Sequence, residues 1–432
     1  MPPKLPSLKA PSTMGSEASD FLRAHQILPI SPPVRSSDYR LCLGDPFTYY
    51  MARRLGVVPA LSHSPALNRG TWMHLRFQHF DLPQARLNSL MEHHLGRRME
   101  ELTETCRSLG IQSEGRAKIL AREEKDFSCS MGWYESAKTV DCYEGQSFEE
   151  FLLSPHWHRL GTEYRLVTSI KTNNRSKPIK CVTQPDLLLY HKGQNSVWIL
   201  DLKTTAMDPK KRAMGIPIDF QTEHYMFSVK ALLDTGDLQR AFNLPSDCKL
   251  GGMMHLIIRK PGIEFGMKDR DFTIDSSPFK SGPRKGQPRM EKKFEGEPRL
   301  DNYIQRCADW YHATGDYIDK EAEWHESPPV GISFTSASLV LDEGIQMRYR
   351  SRVRLIQRYA SDLEAHPSNF PMPDSPFARA DLSTYAPFML SPVEEWPGLI
   401  QQEGFVVRRR DEPIPEDIEF DVIREPESEF TD

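Results

Sequence analysis

Two aspartates and a lysine carry the chemistry most easily read from this chain. Asp186, in TQPDLLLY, lies early in an apolar strand, and Asp201, in VWILDLKTT, ends the next one with Lys203 two residues on. Side chains two apart on a strand point to one face, so Asp201 and Lys203 project together. A hairpin-like return would set Asp186 beside Asp201. Two carboxylates at one spot repel each other unless a divalent cation neutralises them. A lysine next to them suits a site that holds an anionic phosphate and an attacking hydroxide. Mg²⁺ is the natural occupant, a hard ion common at phosphoryl-transfer sites. The bare pattern [Asp/Glu]-x-Lys is not selective, since it occurs at Glu123, Asp201, Asp208, Asp247 and Glu291. Only the Asp201 copy follows four apolar residues and an Asp-bearing strand. A surface charge pair is the plainer reading of it.

Two further stretches narrow the choice. NRGTWMHLRF places His74 four residues after Gly70, where a helix would aim the imidazole at the metal. DFQTEHYMFSVKAL sets Gln221 and Tyr225 four apart, on one helix face. In order, Gly-x3-His, Pro-Asp, Asp-x-Lys and Gln-x3-Tyr resemble the PD-(D/E)XK nuclease superfamily, most closely its RecB-like exonuclease branch. The opening SSDYRLCLGDPFTYYMARRLG is similar to the first helices of that branch, and the likeness spans roughly Ser36–Leu233. It implies an α/β, restriction-endonuclease-like core, a mixed central sheet flanked by helices, with helical N- and C-terminal additions.

Carried onto these positions, the resemblance implies that His74, Asp186 and Asp201 ligate Mg²⁺ or Mn²⁺, with the carbonyl of Leu202 as a further ligand. A cation there would acidify a water for in-line attack on a phosphodiester. Lys203 would orient that water or stabilise the charge building on the phosphate. Gln221 and Tyr225 would hold the DNA backbone beside the scissile bond. Glu163, at the head of TEYRLVTSI, either supports this centre or a second metal, or is an ordinary strand-end carboxylate.

Several RecB-like relatives, CRISPR-associated adaptation nucleases among them, hold an iron–sulfur cluster with one Cys near the opening helix and three near the C-terminus. Cys42 sits where the first would be, but Phe370–Pro392 has no Cys and none follows Cys307. Four thiolates cannot be assembled this way, so no cluster is expected. The tail should then pack through Tyr385, Phe388 and Trp396, with Cys42 as a small core residue.

Positioning these groups requires a definite set of elements. Asp45-Pro46 starts a helix well, as N-cap and first helical position, giving DPFTYYMARRLG. Helices are expected over Ala66–His79, Ala85–Leu109, Ile218–Leu233, Leu300–Trp324 and Leu341–His366, and strands over Tyr164–Ile170, Cys181–Tyr190, Val197–Thr205 and Gly252–Arg259. The expected divisions are a Pro-rich disordered arm over 1–35, a nuclease core over 36–260 and a basic loop insertion over 261–299. A C-terminal helical region over 300–410 and an acidic tail over 411–432 complete the chain.

Composition sets the outer bounds. A chain of 432 residues with 38% hydrophobic and 27% charged residues can bury a core. No run of 18 uncharged apolar residues occurs, and the first residues lack the apolar stretch of a secretory signal. The seven Cys are odd in number and without CxxC spacing, which argues against a disulfide framework or a zinc ribbon and for a reducing cytoplasm, or a host cytoplasm if phage-encoded. The net charge of -5 is unevenly placed: Asp411–Asp432 holds ten acids against one Arg, leaving +4 on residues 1–410. A phosphate-binding groove is thereby allowed but not established.

Other features have plainer readings. His156 and His158 form an HxH pair more often incidental than ligating, and His93 and His94 cannot both face one site on a helix. Trp310, Tyr311 and Tyr317 either stack bases or, more commonly, pack a helix. Lys280, Arg284, Lys285, Arg289, Lys292 and Lys293 either track phosphates or form a solvated linker. No GxxxxGK[ST] pattern exists, which disfavours a helicase in the same chain, though a helicase or recombination partner and an oligomer remain open. A metal-dependent exonuclease acting on DNA ends or single strands is the leading reading. The alternatives are a silent nuclease-fold scaffold and an endonuclease whose target recognition would fall within 261–366.

Overall fold

The computed structural model describes residues 33–44, 46–61, 65–171, 178–216, 219–278, 291–313, 328–340, 342–365, 385–389 and 395–407, with single positions between 280 and 288 and Ser391. The Asp45 cap, Tyr317, the acidic tail and most of the Pro-rich arm fall outside these residues.

The principal helices are α1 (Pro65–Gln78), α2 (Gln84–Ser108), α3 (Ser113–Ala137), α4 (Phe220–Asp234), α5 (Leu300–Tyr311) and α6 (Glu343–Ala365). The principal strands are β1 (Trp157–Thr162), β2 (Leu166–Ile170), β3 (Ile179–Thr183), β4 (Leu187–His191), β5 (Ser196–Thr205), β6 (Lys249–Arg259), β7 (Asp271–Asp275), β8 (Glu291–Glu295) and β9 (Val330–Ser336). Five of them form a mixed sheet in the order β9-β6-β5-β4-β1. Within it β5 and β6 run parallel, joined by a crossover through α4, and the other neighbours are antiparallel. The α/β core expected from the sequence, a mixed sheet between helices, is the fold observed. Among the described residues no helix is long and apolar enough to cross a membrane.

Alternation along the central strands decides which helix covers which face. Leu200 and Leu202 of β5 join Met254, Leu256 and Ile258 of β6 against Trp133 and Tyr134 of α3 and Tyr303 and Cys307 of α5. The intervening Val197 and Ile199 pack with Met253 against Tyr225, Met226, Val229 and Leu232 of α4. With a period of two, Asp201 and Lys203 belong to the α4 face, and so does His255. A separate apolar cluster gathers Cys42, Tyr50, Met51 and Val57 with Tyr349 and Val353 of α6 and with Tyr385, Phe388 and Trp396. Cys42 is a buried thiol there, its pKa raised by burial. Val57–Pro59 also pairs antiparallel with Phe405–Val407.

Several elements differ from their sequence expectation. The run Cys181–Tyr190 is two strands, β3 and β4, in different sheets, because the chain breaks at Gln184–Asp186 around Pro185. Asp186 therefore precedes its strand, and Asp201 lies in the middle of β5 rather than at its end. The opening helix begins at Asp38, and Tyr50–Arg54 winds as a π-helix closed by Leu55 N–H donating to Tyr50 O at 3.0 Å. The helix from Leu300 ends at Tyr311, followed by Ala313 in the left-handed region at φ 49°. His158 lies in β1, not in a loop.

The basic stretch 261–299 contains the β7–β8 hairpin, in which Phe272 faces Phe294 and Lys292 sits 4.6 Å over the Phe272 ring. The C-terminal region supplies a strand, β9, to the main sheet as well as helices. Helix α3 was not foreseen. Its buried face includes Glu123, Asp126, Ser130 and Gly132, which blurs the apolar period. A Cβ at Gly132 would stand 2.4 Å from the Tyr303 ring, so the close approach of α3 and α5 requires glycine.

Candidate active site

The antiparallel register pairs Leu187 with Leu200, which carries Asp186 to the flank of Asp201. β5 continues past the start of β4, and the carboxylate of Asp186 occupies the space left beside it. Its Oδ2 accepts the Leu202 main-chain N–H at 2.5 Å. Helix α1 lies across this end of the sheet and brings His74 Nδ1 to 3.0 Å from Asp186 Oδ1. One turn later Gln78 Nε2 donates to Glu163 Oε1 at 2.8 Å. Glu163 sits at the turn between β1 and β2 with φ 51°, unusual for a residue with a side chain, and its N–H donates to Asp186 O at 3.2 Å. Ligand atoms of His74, Glu163 and Asp186 lie within 4.8 Å of one another.

The other half of the site is a closed polar ring on the α4 face. Lys203 Nζ lies 2.6 Å from Asp201 Oδ2 and donates to Gln221 Oε1 at 2.6 Å. Gln221 Nε2 donates to Asp201 Oδ1 at 3.1 Å and to Tyr225 Oη at 3.2 Å. Tyr225, 6% exposed, donates its hydroxyl proton to Gln184 O at 3.0 Å. Asp219 caps α4 by accepting Gln221 N–H, which fixes the first turn that carries this ring.

Burial and charge set the protonation states. Burial, reinforced by Asp186, raises Glu163 to about 7. Burial pulls His74 down, but the charge and hydrogen bond of Asp186 outweigh it and the imidazole is raised. His255, opposite Asp201 on β6, is held down to about 4 by burial against the opposing pull of Asp201. Its Nε2 is 4.0 Å from Asp201 Oδ2, and its Nδ1 is buried without a hydrogen-bond partner among the described residues.

His74, Asp186, Asp201, Lys203, Gln221 and Tyr225 thus meet at one end of the sheet, with the Leu202 main chain between the two aspartates. Asp201 lies outside the three-residue cluster and is engaged by Lys203 and Gln221, whereas Glu163 lies inside it. The sequence reading missed Gln78 and His255. A histidine in the middle of the apolar run GGMMHLIIR was the available signal for the second. For Gln78 the signal was its place one turn after His74 on the same helix.

The donor set is carboxylate and imidazole, which suits a hard or borderline divalent cation. Asp201 Oδ2 is buried with no aligned hydrogen bond among the described residues despite its ion pair with Lys203, leaving a lone pair free for a cation. The residues present therefore fit a metal. Residues 35–321, about two thirds of the chain, match the family model of the PD-(D/E)XK nuclease superfamily. No curated protein matches the chain.

Proposed function

The chain belongs to the PD-(D/E)XK nuclease superfamily, and from that membership we propose that it is a divalent-metal-dependent deoxyribonuclease. The finer reading is an exonuclease that processes DNA ends in recombination, repair or phage replication. The observation that carries the proposal is the convergence of Asp186, Asp201 and Lys203 with His74 and Gln221 at one end of the sheet. The RecB-like order of those motifs favours ends over internal sites.

His74, Asp186 and Asp201, joined by Glu163 once it is ionised, would hold Mg²⁺ or Mn²⁺, and the Leu202 carbonyl remains a candidate ligand. When bound, the cation acidifies a water and offsets phosphate charge. Lys203 then has to exchange its contact with Asp201 for the phosphate or the attacking water, which its partly exposed ammonium allows. Gln221 presents its amide to the DNA backbone, and Tyr225 braces that amide from the core.

The test is degradation of a linear, end-labelled duplex with Mg²⁺ or Mn²⁺ beside a closed circle, with Asp201→Ala as control. Loss of the linear DNA alone, abolished in the variant, supports an exonuclease. Cutting of the circle moves the reading to an endonuclease. Equal DNA binding by both proteins with no cutting of any substrate points to a scaffold.

A further inference from the structure

A pocket of about 740 Å³ lies between α1, α3 and the residues that follow β6. Arg69, Lys118, Arg122, Lys125 and Lys260 bring five cations to its wall, against the two carboxylates of Asp126 and Glu264. Both carboxylates are already engaged. Arg69 grips Glu264 at 2.7 and 2.9 Å and Asp126 at 2.6 Å, and Lys125 lies 2.8 Å from Glu264. These cations hold the Glu264 carboxyl down to about 2. Lys118 pairs with Glu114 on the exposed face of α3.

Arg122 and Lys260 are left without a side-chain hydrogen bond or ion pair among the described residues. Lys260 is half-buried, and burial together with neighbouring Arg69 lowers its pKa, the mark of a cation short of an anion. Trp133, 2% exposed, adjoins the pocket beneath Arg69, and its indole N–H has no hydrogen-bond partner among the described residues. A buried donor of this kind costs stability unless something accepts from it.

The pocket and the candidate active site share α1 and the C-terminal ends of β5 and β6. Arg69 precedes His74 by five residues on α1, about 7.5 Å along the helix. The Lys260 N–H donates to Thr205 O at 2.7 Å, two residues beyond Lys203 on β5. The pocket lies on the α3 face and the Lys203–Gln221 ring on the α4 face, so a strand that engages both would cross this end of the sheet.

We propose that this pocket is a second, non-catalytic phosphate subsite, which holds a backbone phosphodiester of the substrate strand away from the scissile bond through Lys260 and Arg122. The proposal rests on the nuclease reading. Phosphate oxygens would accept from both cations, and the strand would gain a fixed register relative to the metal site.

The test measures binding of a labelled single-stranded oligonucleotide to the full chain, without divalent metal, across a KCl series. Lys260→Ala, Lys260→Arg and Arg122→Ala are compared with wild type, and single-turnover cleavage is followed at saturating DNA. Lys260→Ala is expected to weaken binding about 5- to 10-fold and to reduce the salt slope by about 1. Lys260→Arg retains binding, and the exposed Arg122→Ala gives a smaller loss with no effect on folding. Cleavage at saturating DNA falls with Lys260→Ala, as the strand loses its register, and is restored by Lys260→Arg. Unchanged affinity and slope in a wild-type background that cuts DNA overturns the subsite alone. A wild-type chain that neither binds nor cuts removes the nuclease reading together with this one.

Discussion

Gln221 and Asp201 are tied together twice, directly through Nε2 to Oδ1 at 3.1 Å and again through Lys203, whose Nζ contacts Gln221 Oε1 and Asp201 Oδ2 at 2.6 Å each. Both functional groups of one amide thus set the positions of an acid and a base on the neighbouring strand. Gln221→Ala should loosen both while leaving the fold intact. A fall in cleavage or metal affinity of about 10- to 100-fold is expected, the range seen when a partner that orients a ligand is removed. Metal titration followed by single-turnover cleavage measures it. A variant with wild-type metal affinity and rate would mean that the ring has no positioning role.

Glu163 gives a pH signature in metal-free protein. Its carboxyl is raised to about 7, so between its unfolded value of about 4.3 and 7 the folded chain holds a proton that the unfolded chain has released. Stability from this group is therefore lost as pH rises through that window. The raised His74 acts in the same direction, losing its contribution as pH climbs through its folded pKa. Metal-free Tm should fall from pH 5 to pH 8, and Glu163→Gln should flatten part of the slope. Apparent metal affinity should rise over the same range, since the cation competes with those protons.

His255 works in the opposite sense. Held down to about 4, it stays neutral in the folded state while the unfolded chain takes up a proton below about 6.5. Stability is lost as pH falls through that interval. His255→Leu should reduce the acid limb of a Tm-against-pH curve and leave the alkaline limb unchanged. An unaltered acid limb would show that His255 is not its source.

Glu223 anchors α4, the helix that carries Gln221 and Tyr225, from behind. It is fully buried on α4 and receives Arg348 and Arg352 from α6, the latter at 2.9 Å. Glu223→Ala would leave two guanidinium groups facing each other without an acid. Breaking a buried pair costs about 3–5 kcal/mol, and the partial exposure of Arg348 lowers the expectation to about 2–3 kcal/mol. Urea denaturation measures it, and a loss below about 0.5 kcal/mol would be the outcome of a surface pair.

The parts legible in sequence are those governed by local pattern. VWILDLKTT is a short apolar, β-branched run of strand length, so β5 and the shared side of Asp201 and Lys203 follow directly. The turn at Gln184–Asp186 was hidden because CVTQPDLLLY reads as one apolar run, and only the pairing of β3 with β2 separates it from β4. Helix α3 escaped notice for a different reason: it buries acids, serines and a glycine against tertiary partners, and no local period announces such a face. The place of His255 depends on the parallel pairing of β5 with β6, a contact between residues 54 apart in the chain.

The pairing of Val57–Pro59 with Phe405–Val407 bears on the order of events during synthesis. Phe47, Tyr50 and Met51 emerge from the ribosome early, yet Phe388, Trp396 and Phe405 that cover them come more than 300 residues later. Throughout that interval a nascent chain exposes an aromatic surface that only its own completion can close. Such a chain should depend on chaperones more than its size suggests, and ribosome-bound fragments ending before residue 385 should bind holdases that the finished protein ignores.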